Sequence, residues 1–332
     1  MNQKITVLGA GSWGTALAML AARNGCQTLL WGHKPAHIDA LKNDRENKHY
    51  LPGLAFSDNL SVTSDLAEAA AFSDLILVSV PSRAFKDTLV KLKPFTRDGV
   101  QIAWATKGFN SENGSLLHEV VAEVFTPNTP AAFLSGPSFA REVAADLPTA
   151  VTIASAQTEF ANQLADILHS GRFRAYTNSD LVGVEVGGAV KNVMAIAAGI
   201  ADGLGFGANT RAALITRGLN EIIRLGIELG GKRETFMGLA GLGDLLLTCT
   251  DNQSRNRRFG LALGQGKDRA TATAEIGQEI EGVSAARETF LLAQKHGIEM
   301  PITEQTYKVL YEGLAPLTAV ENLLARDPKA ES

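Results

Sequence analysis

Residues 9–14 read GAGSWG, a G-x-G-x-x-G run whose meaning comes from its flanks. KITVL (4–8) precedes it as an apolar run of strand length, and an apolar-periodic run from Thr15 to Arg23 follows. QTLLWG (27–32) reads as a second strand, which completes a β-α-β unit. In that setting each glycine has a separate task. Gly9 permits a tight turn, Gly11 lets a pyrophosphate approach the backbone, and Gly14 lets helix and strand pack closely. The amides near Ser12 and Trp13 face the phosphates at the positive end of the helix.

The alternation continues for about half the chain. DLILVSV (74–80), VQIAWAT (100–106), AAFLSG (131–136) and TAVTIAS (149–155) read as strands, and RFRAY (172–176) as an edge strand. Helical patterns occupy 82–91 and 158–169. Strands alternating with helices predict a mostly parallel, doubly wound sheet. After Asn178 the strand-like runs stop, and 181–230 and 284–326 carry Ala, Gly, Leu and Ile at helical spacing. The expected fold is therefore α/β: a Rossmann-type dinucleotide-binding domain over 1–179, followed by an all-α substrate or catalytic domain over 180–332. A length of 332 residues suits two domains.

Bulk composition narrows the partners. The net charge of −4 predicts no general attraction to nucleic acid or to an anionic membrane, so any basic site must be local. The N-terminus shows no secretory pattern, and no stretch reaches the roughly 18 to 20 uninterrupted apolar residues of a membrane span. The nearest approach contains Glu185, Lys191 and Asp202. A cytoplasmic protein is expected. Cys26 and Cys249 have neither metal-ligand nor disulfide-framework spacing, so no metal site is expected and Cys249 reads as a small buried hydrophobe. No internal repeat is evident, and the tail ARDPKAES is expected to fray.

Which dinucleotide binds is read at the end of the second strand. NAD sites usually place a carboxylate about 20 residues after the glycine turn, but here the chain reads LWGHK. His33 and Lys34 either grip a 2′-phosphate, which favours NADP(H) and leaves NAD(H) open, or are solvated loop residues. Doubly wound sheets bind ligands beyond the carboxyl ends of their strands. Those ends include SVPSR (79–83), ATKGF (105–109) and SGPSFA (135–140). Lys107 at one of them is suited to an anionic substrate. Gly136 and Ser138 at another offer an amide and a hydroxyl.

The stretch GGAVKNVMAIAAG (187–199) is small or apolar throughout, with one cation, Lys191. At about 100° per residue the lysine shares its stripe with Val184, Gly187, Gly188, Ala195 and Ala198, while Val182, Val186, Val193, Ile196 and Ile200 form the opposite stripe. A helix apolar all round is buried. Asp180 and Asp202 lie 11 residues away, about 16 Å along the helix, too far to pair directly with Lys191. Burial disfavours a charged lysine, which then serves as a proton acceptor, or is a structural cation paired across the core, or snorkels to the surface. Neighbouring Asn192 either orients a ligand or bonds to backbone. GLAGLGDLLLTCTDNQSRNRR (238–258) supplies partners: Asp244 and Thr248 lie four apart on one helix face. Arg255, Arg257 and Arg258 then fall within four residues, an anion clamp or a solvated basic loop.

Together these residues resemble the bacterial NAD(P)-dependent glycerol-3-phosphate dehydrogenase family. The matching blocks are GAGSWGTALA, WATKGF, SGPSFARE, GGAVKNVMAIAAGI, GFGANTRAALITRG, GLAGLGDLLLTCTDNQSRNRRFG and GQEIEG, from residue 7 to about 282. The resemblance implies reversible reduction of dihydroxyacetone phosphate to sn-glycerol 3-phosphate, a precursor of membrane phospholipids. It implies Lys191 as the catalytic acid/base. Lys107, Asp244 and Thr248 would assist it and hold substrate. Ser254, Arg255 and Asn256 would bind the phosphate side, with Gly136 and Ser138. It implies cofactor contacts from Ser12, Trp13, His33, Lys107, Ala140, Arg255, Glu279 and Glu281, beside Gly9, Gly11 and Gly14. Position 279 is expected to contribute backbone. A homodimer is expected on general frequency. Two rivals stay open: a ketopantoate-type or 6-phosphogluconate-type dehydrogenase, and a non-catalytic nicotinamide sensor.

Overall fold

The computed structural model describes residues 3–327, so the last residues of the tail expected to fray lie outside the described residues. The strands are β1 (Lys4–Leu8), β2 (Gln27–Trp31), β3 (Leu60–Thr63), β4 (Leu75–Val78), β5 (Gln101–Trp104), β6 (Ala131–Ser135), β7 (Thr149–Ala154) and β8 (Phe173–Asn178). The helices among them are α1 (Ser12–Arg23), α2 (Pro35–Asp44), α3 (Leu66–Phe72), α4 (Ser82–Leu92), α5 (Leu117–Val124), α6 (Ala140–Ala144) and α7 (Thr158–Leu168). Then come only helices: α8 (Leu181–Gly203), α9 (Ala208–Glu228), α10 (Arg233–Phe236), α11 (Asp244–Thr250), α12 (Arg255–Gly264), α13 (Arg269–Ile276), α14 (Glu281–Lys295), α15 (Pro301–Tyr311) and α16 (Pro316–Leu324). A wide π turn, Leu239–Gly243, leads into α11. The chain divides into two compact units, 1–185 and 186–332.

The sheet of the first unit runs β3-β2-β1-β4-β5-β6-β7-β8. Every pairing is parallel except β6 with β7. Strand β4 is buried along its whole length and β1 from Ile5 onward, as expected for central strands covered by helices on both faces. Strand order reverses between β1 and β4, so the glycine turn after β1 stands at the topological switch point. β8 is an edge strand, as its sequence predicts, and it runs two residues further than RFRAY.

Two departures from the sequence pattern have local causes. β4 and β5 end two residues before their apolar runs do, because residues 79–80 and 105–106 stay packed while the chain turns. Ser79 N–H still reaches the Leu8 carbonyl at 2.7 Å, and Ala105 N–H the Val78 carbonyl at 2.8 Å. The periodicity reading passes over β3 altogether. This strand is four residues long at the other sheet edge, and only Leu60 and Thr63 are buried, which is too short an alternation to stand out.

The helical unit is built around α8. That helix is long and apolar enough to cross a membrane, but 89% of its most apolar window is buried, which makes it a core helix. Glycines let α12 approach it backbone to backbone. An added Cβ at Gly199 would lie 2.1 Å from the Arg257 carbonyl oxygen, and one at Gly260 would lie 2.1 Å from that of Ile196. Gly203 and Gly264, one turn further along each helix, are equally confined. Larger residues at any of the four would force the helices apart.

Candidate active site

The glycine turn has the geometry a dinucleotide phosphate needs. Gly9 has φ +120°, and a Cβ there would strike the Ser79 carbonyl oxygen at 2.6 Å, on the turn after β4. Gly14 lies against the Gly9 carbonyl, where a Cβ would come within 1.9 Å. Gly11 differs, because a Cβ there would meet nothing within 4 Å. Two glycines are thus fixed by packing and the third opens a space beside the N-terminus of α1. That space adjoins the first amides of α1, and a helix N-terminus favours an anion there. The indole Nε1 of Trp13 is buried and has no hydrogen-bond partner among the described residues. His33 and Lys34 are exposed in the turn after β2.

A feature the sequence reading missed adjoins this turn. His37 Nε2 lies 3.2 Å from the Ala10 carbonyl, and its ring meets Tyr50 and His49 edge to face at 5.6 and 6.4 Å. Asn47, fully buried, donates to the same carbonyl at 3.1 Å and to Thr15 Oγ1 at 2.8 Å. The glycine turn is therefore braced from the 35–50 segment. No periodicity marks these residues, which lie on α2 (His37) and in the segment after it (Asn47, His49 and Tyr50).

The remaining strand ends carry the other expected residues of the first unit. Lys107 is half-buried after β5, and Gly108, at φ +134°, packs against Ser82. Gly136 has φ +141° at the end of β6, and Ser138 Oγ donates to its carbonyl at 3.0 Å. Ala140 opens α6 and is half-buried.

In the helical unit Lys191 is 6% exposed and Asp244 1%. The lysine ammonium donates to Asp244 Oδ1, and to Thr248 Oγ1 at 2.9 Å. The Thr248 hydroxyl in turn donates to the Asp244 carbonyl at 2.6 Å. Gly187, one turn before the lysine, explains how the acid arrives. A Cβ there would stand 2.8 Å from the Ala240 carbonyl, so only glycine admits the π turn that ends at Asp244. Asp244 is not a helix cap, since its carboxylate faces the lysine. Cys249, on the same helix, is fully buried, and burial pushes its thiol up to about 12, which rules out a thiolate nucleophile near neutral pH.

The start of α12 is cationic. Ser254 caps it, accepting the Arg257 N–H at 3.2 Å, and no acid lies in its first turn. Cations at a helix N-terminus oppose the dipole, so this turn favours a bound anion. Arg255 is half-buried and makes no hydrogen bond or ion pair among the described residues. Arg257 is not a clamp arm: Nε donates to the Cys249 carbonyl at 3.0 Å, Nη1 to Asn252 Oδ1 at 2.5 Å and Nη2 to Asp202 Oδ2 at 2.5 Å. Arg258 is exposed. Asn256 links three helices, donating to Asn192 Oδ1 at 2.9 Å and accepting the Gly282 N–H at 2.9 Å. Asn192 reaches Glu281 Oε2 at 3.3 Å. Glu279 is half-buried just before α14.

Models of the NAD-dependent glycerol-3-phosphate dehydrogenase N-terminus and C-terminus match residues 4–161 and 180–321. The chain belongs to this family. It is 58% identical to a glycerol-3-phosphate dehydrogenase (NAD(P)+) of Methylococcus capsulatus over 332 residues, covering 100% of this chain and 99% of that one. It is 56% identical to the protein of the same name from Shewanella frigidimarina over 330 residues, covering 99% and 98%. The crystal structure of glycerol-3-phosphate dehydrogenase from Coxiella burnetii superposes with a TM-score of 0.95 at 51% identity, covering 98% of this chain and 99% of that one. Among the features that sequence reasoning missed in this family member, the paired glycines of α8 and α12 left a signal: two G-x-x-x-G spacings, 199/203 and 260/264. The 56 residues between Gly203 and Gly260 hid their relation.

Proposed function

We propose that this protein reversibly reduces dihydroxyacetone phosphate to sn-glycerol 3-phosphate with NADPH or NADH, supplying a phospholipid precursor in the cytoplasm. Residues 1–179 bind the dinucleotide, residues 180–332 bind the substrate and carry the proton chemistry, and the working form is a homodimer. The observation that carries this reading is the buried Lys191–Asp244–Thr248 constellation in a chain of this family.

Gly9, Gly11 and Gly14, with Ser12 and Trp13, hold the pyrophosphate. His33 meets the adenosine ribose, where a 2′-phosphate favours NADP(H). Lys107, Ala140, Arg255, Glu279 and Glu281 complete the cofactor contacts. Bound NAD(P)H supplies the hydride equivalent. The chain supplies the proton. As negative charge grows on the ketone oxygen, the Lys191 ammonium donates to it and Lys107 adds electrostatic stabilisation. Asp244 and Thr248 hold the lysine Nζ in place. In the oxidative direction neutral Lys191 accepts the hydroxyl proton, so reduction is favoured near neutrality and oxidation toward alkaline pH. Ser254, Arg255 and Asn256 take the phosphate side of the substrate, with Gly136 and Ser138.

The test follows nicotinamide absorbance with dihydroxyacetone phosphate, run separately with each reduced cofactor. Wild type turns over with both. Lys191→Arg abolishes turnover, because guanidinium cannot cycle its proton. Turnover of Lys191→Arg near the wild-type level would remove Lys191 from the acid/base role. Cofactor binding without turnover by the wild type would favour the sensor.

A further inference from the structure

Arg257 lies two residues from Arg255 yet has a different chemical situation. It is 8% exposed in its side chain, and each of its three guanidinium nitrogens already donates to an acceptor of the protein. Those acceptors bracket one segment. The Cys249 carbonyl lies near the end of α11, Asn252 lies within the connecting turn, and the Arg257 N–H itself reaches Ser254 Oγ at 3.2 Å. The fourth anchor is outside the segment. Asp202, in the last turn of α8, accepts Arg257 Nη2 at 2.5 Å and Arg211 Nη1 at 2.8 Å through the same oxygen. The carbonyl of Arg257 also rests on Gly199. A guanidinium spreads its donors over three nitrogens and so reaches three separated acceptors at once, whereas a lysine directs all its N–H groups from a single nitrogen.

We infer that Arg257 and Asp202 are positioning residues for the phosphate-binding turn 251–256. They tie both sides of the turn to the end of α8, the helix that carries Lys191, and so fix the Arg255 guanidinium relative to the acid/base lysine. Neither touches substrate. The inference rests on the reading of Ser254–Asn256 as the phosphate site, and it adds a reason why that site keeps its distance from the lysine. The geometry explains the division of labour within SRNRR. The arginine at the first helical position is left for the ligand, and the one at the third is spent on the scaffold.

The experiment compares Arg257→Lys, Asp202→Asn and Asn252→Ala with wild type on dihydroxyacetone phosphate and on unphosphorylated dihydroxyacetone. Amide hydrogen exchange is measured on the same proteins without substrate. A displacement of about 1 Å in a positioning contact costs on the order of 100-fold. Arg257→Lys therefore lowers kcat/KM for the phosphorylated ketone by about that factor, mostly through KM. Asn252→Ala, which removes one exposed acceptor, lowers it by roughly tenfold. The unphosphorylated ketone changes by less than about threefold, and exchange quickens at 251–256 while the 190–198 stretch stays protected. An equal loss on both ketones, or unchanged exchange in the turn, overturns the inference. A wild type that does not prefer the phosphorylated ketone overturns the phosphate-site reading instead, and the exchange measurement still decides whether Arg257 and Asp202 order the turn.

Discussion

Removing one member of the Lys191–Asp244 pair leaves the other charged and out of water, and that cost can be measured against removing both. The two side chains are 7% and 1% exposed. At hydrogen-bond separation and an effective dielectric constant of about 20, their attraction is roughly 4 to 6 kcal/mol. Burying each ion costs several kcal/mol, so the pair as a whole is close to neutral for stability. Asp244→Ala strands the ammonium, with Thr248 Oγ1 as its remaining acceptor of the two, and destabilises by about 3 to 5 kcal/mol. Lys191→Met takes the cation from the buried carboxylate at similar cost, leaving it the weaker contact of Thr248 Oγ1 at 3.4 Å. The double variant carries neither charge and loses only about 1 to 2 kcal/mol from imperfect packing. The coupling in the cycle is therefore about 4 kcal/mol or more. Urea unfolding reads it: with a slope of about 2 kcal/mol/M, each single variant loses about 2 M of midpoint, most of which the double variant regains. All three tryptophans, at 13, 31 and 104, lie in the first unit, so far-ultraviolet circular dichroism is the suitable probe of the helical unit. The double variant is folded and inactive in ketone reduction. If its loss equals the sum of the two single losses within about 0.5 kcal/mol, the charges do not interact and the argument fails.

Three further outcomes are expected. Gly11→Ala leaves thermal stability nearly unchanged, because its Cβ meets no atom within 4 Å, but weakens NADPH binding by more than about tenfold; Gly14→Ala instead destabilises the fold, its Cβ falling 1.9 Å from the Gly9 carbonyl. Titration calorimetry and melting curves separate the two. Gly260→Ala drives α12 from α8 through the Ile196 carbonyl, costing about 1 to 3 kcal/mol and raising KM for dihydroxyacetone phosphate; an unchanged KM would uncouple that helix seat from the site. The third concerns pH. Burial pushes the Glu221 carboxyl up to about 7, against the donors at Ile302 N (2.7 Å), Thr303 N (3.1 Å) and Thr303 Oγ1 (3.0 Å). The folded state then holds a proton that the unfolded chain releases near 4.5. This group's stabilising contribution is full below about 4.5 and is lost by about 7, a decline of about 3 kcal/mol. Glu221→Gln removes that slope from urea midpoints taken across the range, and a variant that keeps the wild-type slope assigns the titration elsewhere.

The buried lysine and the glycine turn of the candidate site were legible in the linear chain, and what the sequence passed over shares a cause. The glycine turn was legible because strand, turn and helix lie within 30 residues, and their roles follow from backbone sterics that any chain must obey. Lys191 was legible because a cation in a continuous apolar helix conflicts with burial, whatever surrounds it. Arg257 was grouped with Arg255 because adjacent arginines look alike until their acceptors are known. Tyr50, His37 and Asn47 were passed over because a brace on a turn leaves no period.

What the chain determined alone was the kind of each element and the presence of a buried cation, since helix and strand periods, turn sterics and desolvation all act within a few residues. What tertiary structure decided was which groups meet. Asp244 reaches Lys191 across 53 residues only because Gly187 admits the backbone of the π turn. Arg257 is taken up by Asp202, 55 residues away, while Arg255 makes no hydrogen bond or ion pair among the described residues. Partnership between charges depends on how closely two helices pack, and that distance is set by side chains remote in sequence from the charges themselves.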